Sequence, residues 1–256
     1  MTTAVSADAP VRPEEVLIEA IAGMLGGLGH VAVGASSPIP GAAAFLAQSR
    51  QPARTRISVL GSERNFFNEG ARELFDLAGQ GRIDAFFLSG GQIDGTANVN
   101  LVAIGDYARP KARFPGSFGS AYMYYVVPRV ILFRWEHTRR TLVEAVDFIS
   151  APGVSPANVY RPGGPHALIT NLCLFDFDRT RARFTLRSVH PGHSLEEVRD
   201  QTGFDFDLPA DDVPTTPPPD VATLATIRGP VATRLAEVYP AFAARVFGTG
   251  AAALPA

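Results

Sequence analysis

Three times before residue 90 the sequence passes from a helical apolar stripe to a short apolar run and then to a loop of glycine or small residues. Pro13, Glu14 and Glu15 suit the first turn of a helix, where a missing N–H costs nothing and acids meet the positive end of the dipole. Val16, Leu17, Ala20, Ile21, Met24 and Leu25 then fall on one face before Gly26-Gly27. His30–Val33 reads as a strand, 41–48 as a helix, 56–60 as a strand, 69–78 as a helix and Ile83–Leu88 as a strand apolar on both faces. Such a β-α order predicts an α/β fold with an open, mostly parallel sheet and helices on both faces. In such sheets ligands sit at the carboxyl ends of strands, which here lead into 34–37, 61–62 and 89–95.

The second half is less periodic. Val130–Phe133 and Ala145–Ile149 read as strands, and 172–178 with 183–189 as a hairpin around Arg179-Thr180-Arg181. Ser194 and Glu197 have capping-box spacing for a helix running to Gln201. The proline run of 215–220 reads as a rigid connector to helices over 221–227 and 231–247. The expected organisation is one domain over 11–248, with loose tails at 1–10 and 249–256.

Composition narrows the function. The chain has 256 residues, 46% hydrophobic and 19% charged, with a formal charge of −2, which argues against a general polyanion binder. Lys111 is the sole lysine among 23 cationic residues, so anions would be held by guanidinium groups. A single cysteine, Cys173, excludes an internal disulfide and multi-cysteine zinc sites, and its apolar strand marks it as an inert core thiol. His137, His190 and His193 lack further ligands at metal spacing and read as structural or surface histidines. No uninterrupted apolar stretch suits a membrane span, and the N-terminus lacks signal-peptide character. The expectation is a cytoplasmic protein binding neither membrane nor nucleic acid, with no metal.

The densest polar segment is Ser89–Asn100. Asp94-Gly95 alone is what a tight turn requires. Gly90-Gly91-Gln92 exceeds that need: paired glycines let backbone amides approach a ligand, and a polar side chain follows them. Next, Arg109, Lys111 and Arg113 precede the Gly/Ser loop Gly116–Ser120. That cluster suits either a solvated surface or a loop meeting an anionic ligand.

These blocks carry a resemblance. Gly90-Gly91-Gln92-Ile93-Asp94 with Asn98-Val99-Asn100, then 104–107 and 110–117, resemble the β subunit of family I CoA-transferases, of which glutaconate CoA-transferase is the type. Val146-Asp147-Phe148, Ala151-Pro152-Gly153, His190-Pro191-Gly192 and Thr202-Gly203-Phe204-Asp205 continue it in order, over about 15–230. The resemblance implies a CoA-transferase/ribose-phosphate-isomerase-like fold and a separate α subunit, in a heterodimer or heterotetramer. It implies an acyl-CoA substrate, with coenzyme A part of that substrate and no tightly bound cofactor. It places Gly90, Gly91 and Gln92 in the oxyanion- and acyl-orienting loop, with Gly34, Ser37, Asp94, Asn98, Asn100, Arg113, Gly116, Ser117 and Gly119 in the substrate and CoA surface.

True transferases of this type attack with a glutamate in a Glu-x-Gly turn. The matching turn here reads Val59-Leu60-Gly61, and an aliphatic side chain cannot carry covalent catalysis. Glu63, two residues beyond the glycine, is a substitute only if the register shifts. Relatives without the glutamate include a steroid-ring-cleaving hydrolase and a 3-methylglutaconyl-CoA decarboxylase that uses cysteine. The expectation is therefore hydrolytic cleavage of a carboxylated acyl-CoA with the base from the partner. The alternatives are a genuine CoA-transferase or decarboxylase subunit, a non-catalytic partner of an α subunit and, more remotely, a sugar-phosphate isomerase.

Overall fold

The computed structural model describes residues 9–248. Most of the two expected tails lies outside the described residues. The chain divides into two compact units, one up to Leu74 together with the part from Pro217 on, the other Phe75–Thr216. The sequence reading treats 11–248 as one domain; the division falls at the proline run and inside a helix.

In the first unit α1 (Pro13–Met24) leads to β1 (His30–Val33), α2 (Pro38–Arg50) and β2 (Arg56–Val59). The two strands pair in parallel, His30 opposite Arg56 and Val33 opposite Val59, so their following loops share one end. α2 starts three residues before the expected position, because Pro38 and Pro40 both fit its first turn. Its Ala42–Leu46 stretch is fully buried and packs on α1.

After the connector, α6 (Val221–Thr226), a π-helical turn (Ile227–Val231), α7 (Ala232–Val238) and α8 (Pro240–Phe247) follow; α3 to α5 lie between. The gap between the helices expected over 221–227 and 231–247 is closed by that turn, although it contains Pro230. A π turn widens the ring that a proline without an N–H would otherwise break. The expected helix over 231–247 instead breaks at Tyr239, held out of the helical region at φ −129° and ψ 61° ahead of Pro240.

α3 (Ala71–Gly79) runs across the division. The second unit has a sheet ordered β3 (Ala85–Leu88), β8 (Arg129–Phe133), β9 (Pro165–Ile169), β10 (Cys173–Asp178) and β11 (Arg183–Val189). β3, β8 and β9 are parallel; β10 and β11 add the expected antiparallel hairpin. The α/β class with a mostly parallel sheet is thus observed. Between β3 and β8 lie two short ribbons, β4 (Gln92–Ile93) with β5 (Val99–Asn100) and β6 (Ala103–Ile104) with β7 (Ala112–Arg113), then α4 (Ser120–Val126). α5 (Leu195–Gln201) begins at Ser194, whose Oγ accepts the Glu197 N–H as expected. The Glu197 carboxylate turns to His193 Nδ1 at 2.9 Å. Phe175, Phe184, Phe204 and Phe206 fill the core beneath the hairpin with ring centroids 5.0–6.3 Å apart.

Ala145–Ile149 is not a strand. Its backbone amides are taken by side chains from the ribbon: Asp147 N–H donates to Gln92 Oε1 at 2.9 Å and Val146 N–H to Asp94 Oδ2 at 3.5 Å. With those donors occupied, no ladder forms there.

Candidate functional site

Ser89-Gly90-Gly91 leaves the carboxyl end of β3, the edge at which open α/β sheets present ligands. The glycines are sterically required. A Cβ on Gly90 would stand 2.6 Å from Val99 Cγ1 and 2.9 Å from the Gln92 carbonyl oxygen, and one on Gly91 2.3 Å from Phe114 Cε2. The loop folds back on β5, where Gly91 N–H donates to the Asn100 carbonyl at 2.8 Å. That bond removes the Gly91 amide from the donors expected for an oxyanion. The Gly90 N–H has no acceptor among the described residues.

Gln92, Asn100 and Asp147 fix the loop from beneath. Asn100 Nδ2 donates to Gln92 Oε1 at 2.8 Å and to the Ala103 carbonyl at 2.6 Å, while its Oδ1 accepts from the amides of Val102 and Ala103. Gln92 Nε2 donates to Asp147 Oδ2 at 3.1 Å, and that oxygen also takes the Gly105 N–H at 2.7 Å. Every hydrogen-bonding atom of the buried Asn100 side chain is thereby engaged.

Asp94 holds the ribbon turn. Its Oδ1 accepts from the amides of Thr96 and Asn98 at 3.0 and 3.1 Å, and its Oδ2 from Asn98 Nδ2 at 3.1 Å. Asn98 Oδ1 in turn accepts the Gly153 N–H at 3.0 Å. Tyr124 Oη donates to the Ala97 carbonyl at 2.8 Å and holds that residue at φ +60°. Asp94, Asn98 and Asn100 thus shape the ribbon through internal bonds instead of presenting free groups.

Above the loop is a cavity of about 720 Å³, walled by Gly90, Gly91, Gln92, Leu101, Ile104, Phe114, Gly116 and Val143, with Arg134, Arg140 and Thr141 completing it. Of the expected surface residues, Gly116 lines it. Arg113 does not: its guanidinium lies 4.8 Å from the Tyr107 ring centroid and donates to the Tyr107 carbonyl. Exposed Ser117 accepts the α4 cap bond from Ser120, and Gly119 is the left-handed N-cap of α4 at φ +66°. Neither lines the cavity.

Arg134 and Arg140 escaped the sequence reading. The available signal was that Arg134 directly follows the strand expected over 130–133. Glu136 bridges them, taking Arg140 Nη2 at 2.5 Å and Arg134 Nη2 at 3.2 Å. The hydrogen bond from Arg140 is the main cause holding the Glu136 carboxyl below its ordinary range, with Arg134 assisting.

The remaining expected residues belong to the first unit. Val59 ends β2 fully buried, its N–H donating to the Asn65 carbonyl at 2.7 Å, and Gly61 turns the chain at φ +90°. Exposed Glu63 presents its amide to Glu237 Oε1 at 2.5 Å. Glu237, also missed in the sequence, accepts from Ser62 Oγ and the Arg64 amide too and so staples the turn. Tyr239 Oη donates to the Gly34 carbonyl at 3.2 Å and accepts the Ser37 amide at 3.4 Å. Ser37 Oγ donates to Ala35.

No cluster of metal-ligating side chains exists among the described residues, and no described helix is long and apolar enough to cross a membrane. Cys173 is buried and its thiol is pushed up by burial, as suits an inert core group.

Alanine at Gly90 is expected to force the loop away from Val99 and the Gln92 carbonyl, costing about 1–3 kcal/mol of stability by overpacking. Chemical denaturation measures the loss, and an unchanged unfolding midpoint would show that the loop accommodates the added methyl group.

Comparison with known proteins follows the same segments. The family model for coenzyme A transferase matches residues 30–201. The second subunit of 3-oxoadipate CoA-transferase from Pseudomonas knackmussii is 34% identical over 154 residues, 58% of each chain. The cholesterol ring-cleaving hydrolase IpdB subunit of Rhodococcus jostii is 31% identical over 153 residues, 58% of this chain and 60% of that one. The chain thus matches less than two thirds of the length of these relatives. The crystal structure of IpdAB from Rhodococcus jostii superposes with a TM-score of 0.76 and 26% identity, covering 90% of this chain and 99% of that one. With its glycine loop, ribbon and sheet edge inside the matched span, this chain belongs to the coenzyme A transferase family.

Proposed function

We propose that this chain is the β subunit of a heteromeric enzyme that cleaves a carboxylated acyl-CoA with water, forming no covalent intermediate on this subunit. Coenzyme A enters as part of the substrate, and an α-type partner subunit supplies the reacting base. The observation that carries the reading is the chemistry at the end of β2. Val59, which takes the place of the attacking glutamate in the family resemblance, is a buried aliphatic side chain without a lone pair. Glu63 is exposed, and the Glu237 carboxylate is occupied by three neighbouring donors. The similarity to a subunit named as a ring-cleaving hydrolase supports the same reading.

The loop after β3 then supplies electrostatics. A thioester carbonyl oxygen seated at the Gly90 N–H gains a donor that need not reorganise as negative charge develops, an effect of about 3 kcal/mol in comparable sites. Gln92, held through Asn100 and Asp147, keeps that amide in place. The apolar wall of Leu101, Ile104 and Phe114 excludes water from the acyl chain.

Genuine CoA transfer is the second reading, and Glu237 favours it, because a carboxylate does stand beside the turn after β2. One experiment separates the two. The chain is purified with its partner subunit, turned over on an acyl-CoA and treated with borohydride or hydroxylamine. Hydrolysis predicts undiminished activity and no mass change on this subunit. Reagent-dependent inactivation that vanishes in Glu237→Gln or Glu63→Gln would establish covalent transfer and sink the hydrolytic reading.

A further inference from the structure

Parallel pairing of β3 with β8 sets Leu88 opposite Leu132. The residues that follow, Gly90 on one strand and Arg134 on the next, therefore leave the same sheet edge side by side, and both line the same cavity. The wall between them is apolar, formed by Leu101, Ile104, Phe114 and Val143. A cavity with a carbonyl-binding amide, an aliphatic wall and a guanidinium has the layout of a site for a chain charged at its far end.

The charges at the guanidinium end do not balance. Arg134 and Arg140 share the single carboxylate of Glu136, each through Nη2, which leaves one net positive charge. Arg134 Nε is the one buried side-chain nitrogen or oxygen among the described residues without a hydrogen-bond partner. Leaving such a donor unmade costs about 1–3 kcal/mol, more for a charged group. Glu136 engages one nitrogen of a fork built for two. A carboxylate accepting from Nε and Nη2 together satisfies the orphan donor and completes the bidentate geometry that guanidinium favours.

We propose that Arg134 determines specificity by binding a second carboxylate, carried on the acyl chain away from the thioester. That carboxylate displaces Glu136 from Arg134, while Arg140 retains Glu136. The inference rests on the CoA-ester reading above and adds the residue that selects a dicarboxylic over a monocarboxylic acyl group.

Binding is read by calorimetry, which needs no reporter group in the cavity. Full-length chain, alone and assembled with its partner, is titrated with glutaryl-CoA, pentanoyl-CoA and free coenzyme A. The first two differ at the chain end, where one has a carboxylate and the other a methyl group. Glutaryl-CoA is expected to bind about tenfold tighter, the size of one good charged hydrogen bond. Arg134→Gln is expected to abolish that preference while leaving pentanoyl-CoA affinity unchanged. Glu136→Gln removes the internal competitor and is expected to tighten glutaryl-CoA alone, a gain of binding that misfolding cannot mimic. Equal affinity of the wild type for both esters would overturn the proposal. So would a preference that survives Arg134→Gln, or a Glu136→Gln variant that does not tighten. Failure of the assembled wild type to bind either ester or free coenzyme A would instead overturn the CoA-ester reading itself.

Discussion

Glutamine in place of Glu15 is expected to lower the unfolding free energy by about 3–5 kcal/mol, the cost of breaking a buried ion pair by removing one of its charges. Arg228, on the π turn, reaches Glu15 with Nε at 2.6 Å from Oε1 and Nη2 at 2.9 Å from Oε2, and the two side chains are 3% and 0% exposed. The guanidinium also donates to the Ala9 and Pro10 carbonyls at 3.0 Å each, tying the segment before α1 to the C-terminal helices of the same unit. Glu15 Oε2 accepts the Arg12 N–H at 2.8 Å as well, so one carboxylate serves both a helix cap and the ion pair. The amide of glutamine keeps the shape and some hydrogen bonds but not the charge. Urea unfolding at neutral pH measures the effect. A loss below about 1 kcal/mol would show that water reaches the pair, as at an exposed salt bridge. Replacing both residues with apolar side chains of similar volume is expected to recover most of the loss, because burying both charges is itself costly.

Acid is expected to destabilise the second unit between about pH 6.5 and pH 4, through two buried imidazoles. Burial first, and the neighbouring histidines second, depress His137 to about 4; burial depresses His190 to about 4 as well. The hydrogen bonds define their neutral forms. Thr202 Oγ donates to the Val198 carbonyl at 2.6 Å, so His137 Nε2 must donate to Thr202, 2.9 Å away, and His137 Nδ1 accepts from Thr170 Oγ at 2.8 Å. His190 Nε2 donates to the Thr170 carbonyl at 3.0 Å, and Nδ1 accepts from Thr216 Oγ at 2.8 Å.

A second proton on either ring would put a charge in the interior and oblige its threonine hydroxyl to turn its own hydrogen away, that of Thr170 to the Cys173 carbonyl and that of Thr216 to Ser188 Oγ. Above the unfolded value near 6.5 both states are neutral and nothing is lost. As pH falls, the unfolded chain binds protons that the folded one refuses, so stability declines until the folded value near 4 and then levels off. The limit is about 3 kcal/mol for each ring. Proton NMR of the imidazole signals, with urea unfolding at pH 7 and pH 4.5, tests this. Two buried rings titrating near 6.5 in the folded protein would disprove it. The same burial makes structural groups of these histidines, as their lack of metal-ligand spacing suggested.

Elements whose signals are local were legible in the sequence. The strand at 30–33, the hairpin around Arg179–Arg181 and the Ser194 cap each follow from residues within a few positions of one another, and each is present. The segment 145–149 looked equally strand-like. It became a loop because Gln92 and Asp94, some fifty positions earlier, take its amides, a competition that no window of sequence contains. The helix over 231–247 failed at Tyr239-Pro240 for a local reason, the proline restraint on the residue before it.

The candidate site divides the same way. The glycine pair of 90–91 stands out in the sequence because only glycine permits such close approach, and the structure gives each missing Cβ a clash. The polar residues after it looked like ligand groups, since side-chain type alone does not reveal whether a donor is already satisfied. Asp94, Asn98 and Asn100 are satisfied internally. Arg134 and Arg140 were hidden by distance along the chain and come to line one cavity with Gly90 only through the register of β3 on β8.

The sequence by itself determined the α/β class, the alternation of helices and strands up to Leu88, the hairpin of 173–189, the glycine loop at the end of β3 and the absence of a carboxylate at position 59. These follow from periodicity, turn chemistry and residue identity, which act over a few bonds. Only the tertiary structure decided which polar groups remain free, which carboxylate stands beside the turn after β2 and which cations face the cavity. Those outcomes depend on hydrogen-bond partners and charges that strand register and helix packing bring within a few ångströms from far apart in the chain.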